Sequence, residues 1–191
     1  IKNHRVVLWF GGIYPWMDPE PLIEAFSLVA PKYPEWKLRF LGGFHPETGY
    51  REIYRKLKKF GRQRISNNQL EFVPWQPEKN LGKYFEDAAF AVHLVKPTLE
   101  DYYAHRVRLL TLFSAGIPVL TSGRDMISDL AVRLGAAARI ELGREGVEKD
   151  LIFLISSPEK LNKMSKCCLK VEREFLKQET DIRLNDLNLL T

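Results

Sequence analysis

From residue 5 to about residue 175 the chain alternates short continuous apolar runs with longer stretches in which apolar side chains recur every three or four positions. Continuous runs suit strands buried on both faces of a sheet. The wider spacing suits helices with one apolar stripe. The runs are VVLWF at 6–10, LRFLG at 38–42, LEFVP at 70–74, FAVHL at 90–94, PVLTS at 118–122 and AAARI at 136–140. Helices are predicted over 19–30, 50–60, 79–88, 107–115 and 125–134, the first with Asp18 as N-cap and Pro19 at its first position. From 146 to 175 the pattern predicts two amphipathic helices divided at Ser156-Ser157-Pro158. Regular alternation of this kind predicts an α/β fold: a Rossmann-like parallel sheet of about six strands with helices on both faces. One domain is expected over 1–178, followed by a tail over 179–191 whose polar and apolar residues show no period.

Composition narrows the setting. The 191 residues are 45% hydrophobic and 28% charged, so the chain can bury a sizeable core without disulfides or a structural metal. Its two cysteines, Cys167 and Cys168, are neighbours and diverge by about 100° on a helix, which excludes a disulfide framework and suits a reducing, cytoplasmic setting. No apolar run reaches the roughly 18 residues of a membrane span. The net charge of +5 is spread along the chain, with runs such as Arg55-Lys56-Leu57-Lys58-Lys59 on a helix face. That reads as solvated surface, so nucleic acid is not the expected partner. No zinc spacing, phosphate-binding Walker loop or serine-histidine-aspartate arrangement appears, and no cofactor is expected. The start at Ile1 reads as a cut within a longer polypeptide, which would leave only part of an active site on this piece.

Open parallel sheets bind ligands beyond the carboxyl ends of their strands, so the βα loops carry the functional signal. After the first run come Gly11-Gly12-Ile13-Tyr14-Pro15-Trp16. This is either a tight turn or a place where backbone meets a ligand beside two flat aromatics. It lacks the third glycine and the later acidic residue of a dinucleotide fingerprint. The second loop repeats the pair as Gly42-Gly43-Phe44-His45, where His45 could donate to a phosphate or sugar oxygen or simply bond to backbone. His93 lies inside a strand run and reads as a core histidine. The densest chemistry lies at 97–110, where Glu100, Asp101, Tyr102, Tyr103, His105, Arg106 and Arg108 crowd a helix start. Amides at a helix N-terminus attract anions, and arginine adds a fork matched to phosphate at an end that the macrodipole makes unfavourable for cations. Pairing with Glu100 or Asp101 is the competing explanation.

These residues in this order resemble the C-terminal, nucleotide-sugar-binding half of GT-B glycosyltransferases of the retaining group 1 type. The resemblance covers residues 4 to 140. It rests on the glycine loop after the first strand, PLIEAFSLVAPKYPEWKLRFLGG, LEFVPWQPEKNLGKYFEDAAFAVHL, and Ala115-Gly116-Ile117-Pro118-Val119. Arg106-Val107-Arg108-Leu109-Leu110, Gly123-Arg124-Asp125 and LWFGGIYPWMDP look like a narrower subgroup. The wider group holds the diphosphate with an arginine and a lysine at positions that fall here on Gly12 and Met17. Its two glutamates, near the donor sugar and on the ribose, fall on Tyr103 and Thr111.

The resemblance implies a domain that binds a nucleotide-diphosphate sugar, with UDP or GDP as nucleotide, and faces an N-terminal domain absent from this chain. Sugar transfer with retention and without a metal would occur in the cleft between them, to an acceptor that could be membrane-associated. The fragment alone would turn nothing over. On this reading Arg106 grips the diphosphate and Glu100 meets the donor sugar, the two expected catalytic positions. Arg108 adds charge or pairs with an acid. Binding is expected at Gly11, Gly12, Gly43, Phe44, His45, Trp75, Tyr103, His105, Val107, Arg108 and Thr111. The base would lie near Gly43, Phe44, Pro74 and Trp75. Two rival readings remain at this stage: a basic Rossmann-like nucleic-acid-binding module, and an epimerase-like or phosphatase-like enzyme on the same architecture.

Overall fold

A computed structural model describes residues 4–44 and 49–188, with side chains described as far as Lys177. All six apolar runs are strands: β1 (Val6–Gly12), β2 (Lys37–Gly43), β3 (Leu70–Pro74), β4 (Ala88–His93), β5 (Val119–Thr121) and β6 (Ala137–Arg139). They pair in the order β3-β2-β1-β4-β5-β6, every pair parallel. Register places Gly11 beside Gly42 and Gly12 beside Gly43, so the two glycine pairs form one patch at the carboxyl edge.

Strand side chains alternate between faces, and each face has its own helical cover. Val7, Trp9, Phe40 and Phe90 pack beneath α1 (Glu20–Val29), α2 (Arg51–Arg62) and α7 (Arg144–Ile155). Leu8, Leu41, Ala91 and Val119 pack beneath α5 (Val107–Ser114), α6 (Met126–Arg133) and α8 (Pro158–Asn188). Each such side chain contributes about 1.5–3 kcal/mol when fully buried, which makes the two cores the main source of stability. Arg39 places a charged side chain within the sheet. Its buried guanidinium donates to Glu71 at 2.7 Å, to Asp87 at 2.9 Å and to the Tyr84 carbonyl at 3.0 Å. It lies near the amino end of β2, away from the loops, and joins β2, β3 and the turn into β4.

Three local details differ from the pattern. The helix predicted over 79–88 is a 3-10 turn at Glu78–Asn80 followed by the single turn α3 (Gly82–Phe85). Gly82 opens it at a propensity cost of about 1 kcal/mol, neither piece has a side-chain cap, and Ala88 already belongs to β4. Asp18 makes no side-chain cap for α1; its backbone N–H instead donates to the Leu94 carbonyl, fixing the entry to the helix. The junction at 97–110 contains its own short helix, α4 (Leu99–Tyr103), separated from α5 by extended backbone at Ala104. The break at Ser156–Pro158 is as expected, and α8 then continues unbroken across residue 178.

Candidate functional site

The strand order reverses direction between β1 and β4, the topological switch point beside which open parallel sheets bind ligands. The first loop is held on both sides of it. Ile13 N–H donates to the Gly43 carbonyl at 2.6 Å, Lys96 N–H donates to the Trp16 carbonyl at 2.9 Å, and Met17 bridges Val95. A cleft of about 200 Å³ opens above β1, β2 and β3, lined by Phe10, Gly11, Gly12, Tyr14, Leu41, Gly42, Trp75, Gln76, Leu81 and Arg108.

The glycines form its floor for a steric reason. Gly11 has φ +105°, and a Cβ there would lie 2.8 Å from Arg108 Nη1. A Cβ on Gly12 would lie 2.6 Å from the Tyr14 ring. Side chains of this loop and of α5 therefore lie directly on bare backbone.

The two arginines part company at the start of α5. Arg106 occupies the N-cap position and turns back onto α4. Its Nη2 donates to Glu100 Oε2 at 2.7 Å and lies 3.8 Å from Asp101 Oδ1. Asp101 is itself buried, accepts from the Arg124 N–H at 3.1 Å, and has its acidity weakened chiefly by burial. Arg108, in the first helical turn, extends over β1 into the cleft. Its guanidinium makes no ion pair or hydrogen bond among the described residues, and Nη1 is a buried donor without a partner. The face of Tyr14 lies 5.6 Å from it. Burial, with the like charge of Arg106 adding to it, depresses the Arg108 pKa against the opposing effects of Tyr14 and Glu100. Such a site gains electrostatically from an anion. The acid pairing expected of Arg108 is thus made by Arg106, and it is Arg108 that lines the cleft.

Beneath the arginines lies His93. Its Nδ1 is 3.2 Å from Thr121 Oγ1, which also accepts from the Gly123 N–H and leads through Ser128 to Asp125, the N-cap of α6. Burial and the charges of Arg108 and Arg106 push its pKa down to about 3. A ring held neutral to that extent is a weak base, and its burial fits the reading of His93 as a core residue.

Of the residues expected at the site, Gly11, Gly12, Trp75 and Arg108 line the cleft together. Gly43 and Phe44 stand behind it, Phe44 against Tyr54 and beneath Arg51. Glu100, Tyr103, His105, Val107 and Thr111 are on the exposed surface of the junction and of α5, and line no part of the cleft. His45 lies outside the described residues. Sequence reasoning missed Phe10, Leu41, Gln76 and Leu81 as lining; their only signal was proximity to strand ends. A second depression above β4, β5 and β6 contains Arg124 and Arg139, but these are engaged by Tyr102 and Asp129. Among the described residues no cluster of histidine, cysteine and acidic side chains could hold a metal ion, and no helix is long and apolar enough to cross a membrane. The cleft thus offers an unpaired cation, a flat indole that is 46% exposed and a close-approach floor. Those features suit an anion joined to a planar ring.

Against known proteins, no family model and no curated protein sequence matches the chain. Solved structures do match. The fold is similar to the C-terminal domain of a glycosyl transferase group 1 family protein, LpcC from Francisella tularensis, at 14% identity and a TM-score of 0.72 over 90% of this chain and 91% of that one. Sucrose-phosphate synthase from Thermosynechococcus elongatus matches at 14% identity and a TM-score of 0.71, covering 99% of this chain and 47% of that one. HepE from Anabaena, in complex with UDP, matches at 13% identity and a TM-score of 0.70, covering 94% of this chain and 49% of that one. The chain spans about half the length of the latter two, and the fold it shares with all three is that of the C-terminal half of GT-B glycosyltransferases.

Proposed function

We propose that this chain is the donor-binding domain of a glycosyltransferase and that its cleft holds the nucleoside diphosphate of an activated sugar, UDP before GDP. One observation carries the reading: Arg108 is a cleft-lining arginine without an anionic partner, placed at the topological switch point over a glycine floor and across from Trp75. A diphosphate supplies the missing negative charge, and a base stacks on the indole. Structural likeness to a protein solved with UDP supports the choice of nucleotide. In transfer the leaving diphosphate accumulates charge, and a preorganised guanidinium in a partly dry site stabilises it without a metal. Glu100, half-exposed and oriented by Arg106, is the group we assign to the donor-sugar hydroxyls. Retention of configuration, a cytoplasmic location and an acceptor bound by a companion N-terminal domain complete the proposal. Among the described residues the cleft lining holds no acidic side chain and no histidine.

Calorimetric titration with UDP, GDP, UDP-sugars and NAD tests this directly. Dissociation constants between micromolar and millimolar are expected for the nucleoside diphosphates, about −8 to −4 kcal/mol, because half of the proposed cleft is absent. NAD should not bind. Tight NAD binding with no response to any nucleoside diphosphate would overturn the reading.

A further inference from the structure

The glycine floor carries a second polar group that the nucleotide reading leaves without a task. A Cβ on Gly12 would lie 2.7 Å from the Tyr14 hydroxyl oxygen, as one on Gly11 would lie 2.8 Å from Arg108 Nη1. Gly11 is thus covered by a guanidinium and Gly12 by a phenol, and both side chains line one cleft. Tyr14 is held there rigidly. Its ring stacks on Trp16 at 4.9 Å and 7°, and Tyr50 closes edge-on against both rings at 5.6 and 6.2 Å. The backbone on either side is bonded to the ends of β2 and β4 through Ile13 and Trp16. Arg108, the unpaired cation of the cleft among the described residues, has its guanidinium carbon 5.6 Å from the centroid of the same ring.

We propose that the Tyr14 hydroxyl is a second diphosphate ligand, donating its hydrogen to a phosphate oxygen whose charge Arg108 neutralises. The inference rests on the nucleotide reading above for the identity of the natural ligand, but not for the anion. A phenol contributes one directed donor and no charge. Together with a planar guanidinium it would favour a diphosphate over a single carboxylate, since two acceptor oxygens can be met at once. The stacked aromatic support keeps the hydroxyl in place before the ligand arrives, which lowers the ordering cost of binding.

The test is Tyr14→Phe, which keeps the ring and its stacking and deletes one oxygen. Binding of UDP, inorganic pyrophosphate and uridine is measured by calorimetry for both proteins, with thermal unfolding as the check on folding. Tyr14→Phe should bind UDP and pyrophosphate roughly tenfold more weakly, the effect of one hydrogen bond to a charged group. Its uridine affinity and melting temperature should not change. Equal or tighter pyrophosphate binding by the variant overturns the assignment and identifies Tyr14 as packing, or as an obstruction in the cleft. The two readings fail separately. If pyrophosphate binds and Tyr14→Phe weakens it while UDP binds no better than pyrophosphate, the Tyr14 assignment holds and the nucleotide reading falls. If UDP binds well and the variant binds it equally well, the reverse follows.

Discussion

A buried guanidinium with no acid beside it is costly, because burial removes water from a full charge. Arg106 and Arg108 illustrate the two outcomes two residues apart. Arg106 resolves the cost with Glu100 and Asp101, whereas Arg108 leaves it unresolved. Their substitutions should therefore separate cleanly. Arg108→Ala is expected to lose about 1.5–3 kcal/mol of UDP affinity while leaving the melting temperature equal or raised, since an unpaired cation is removed. Arg108→Lys should regain part of that affinity, as a point charge without the planar fork. Arg106→Ala is expected to cost about 3 kcal/mol of stability, because it strands the carboxylate of Asp101 inside the protein. Calorimetry and urea unfolding on the three variants check this, and loss of UDP affinity in Arg106→Ala alone would reassign the anion site. The crowding of acids and arginines was legible in the sequence. Which arginine faced which way was not, since it depends on the single turn of α4 bringing Glu100 and Asp101 back towards the start of α5.

At the level of elements, local and periodic signals survived folding and tertiary ones did not appear in advance. Six strands were readable because the continuous apolar runs are short, as suits strands buried on both faces. The cap of α6 was readable too, since Asp125 stands before an apolar stripe and accepts from Ile127 N–H and Ser128 N–H at 3.1 Å. The helix over 79–88 was over-read because Leu81, Tyr84 and Phe85 keep helical spacing although Gly82 and the nearby strand leave room for one turn only. The hydrogen-bonded link from β4 through β5 to α6, His93 to Thr121 to Ser128 to Asp125, joins residues far apart in the chain and has no local signature. It makes a pH prediction. His93 is held near pKa 3 in the fold and titrates near 6.5 when unfolded. Its neutral form is the stable one, so its contribution is present above pH 6.5 and is lost as pH falls towards 3. The loss proceeds by at most about 1.4 kcal/mol per pH unit, the value of one proton. Urea unfolding of the protein and of His93→Gln between pH 7 and 5 should show the stability difference between them shrinking as pH falls. A difference independent of pH would mean that the imidazole is not held neutral.

The whole molecule distributes its exposed apolar side chains unevenly. Trp75, Leu99, Tyr102, Tyr103, Val107, Met126 and Leu142 all stand on segments that follow the carboxyl ends of strands, and of these Trp75 lines the cleft. Isolated exposed apolar residues need no explanation, but a rim of them along one edge of the sheet marks a surface that something covers. The companion domain proposed above would supply that cover and would also account for a domain that can bind a donor without holding an acceptor. The rim should then be irrelevant to the fold of this chain and to its grip on UDP. Tyr103, 82% exposed on α4, is the most informative position. Tyr103→Asp in this chain is expected to change stability by no more than about 0.5 kcal/mol, as for a surface site, and to leave UDP affinity unchanged. In a polypeptide carrying both domains the same substitution should reduce sugar transfer, because a carboxylate replaces an aromatic in an interface that must close over the donor. Thermal unfolding and UDP titration of the substituted chain, followed by a transfer assay in the two-domain protein, distinguish the cases. Tyr103 belongs to the fold itself if the substituted chain melts several degrees lower, and no interface reading of the rim would survive unaltered transfer in the longer protein.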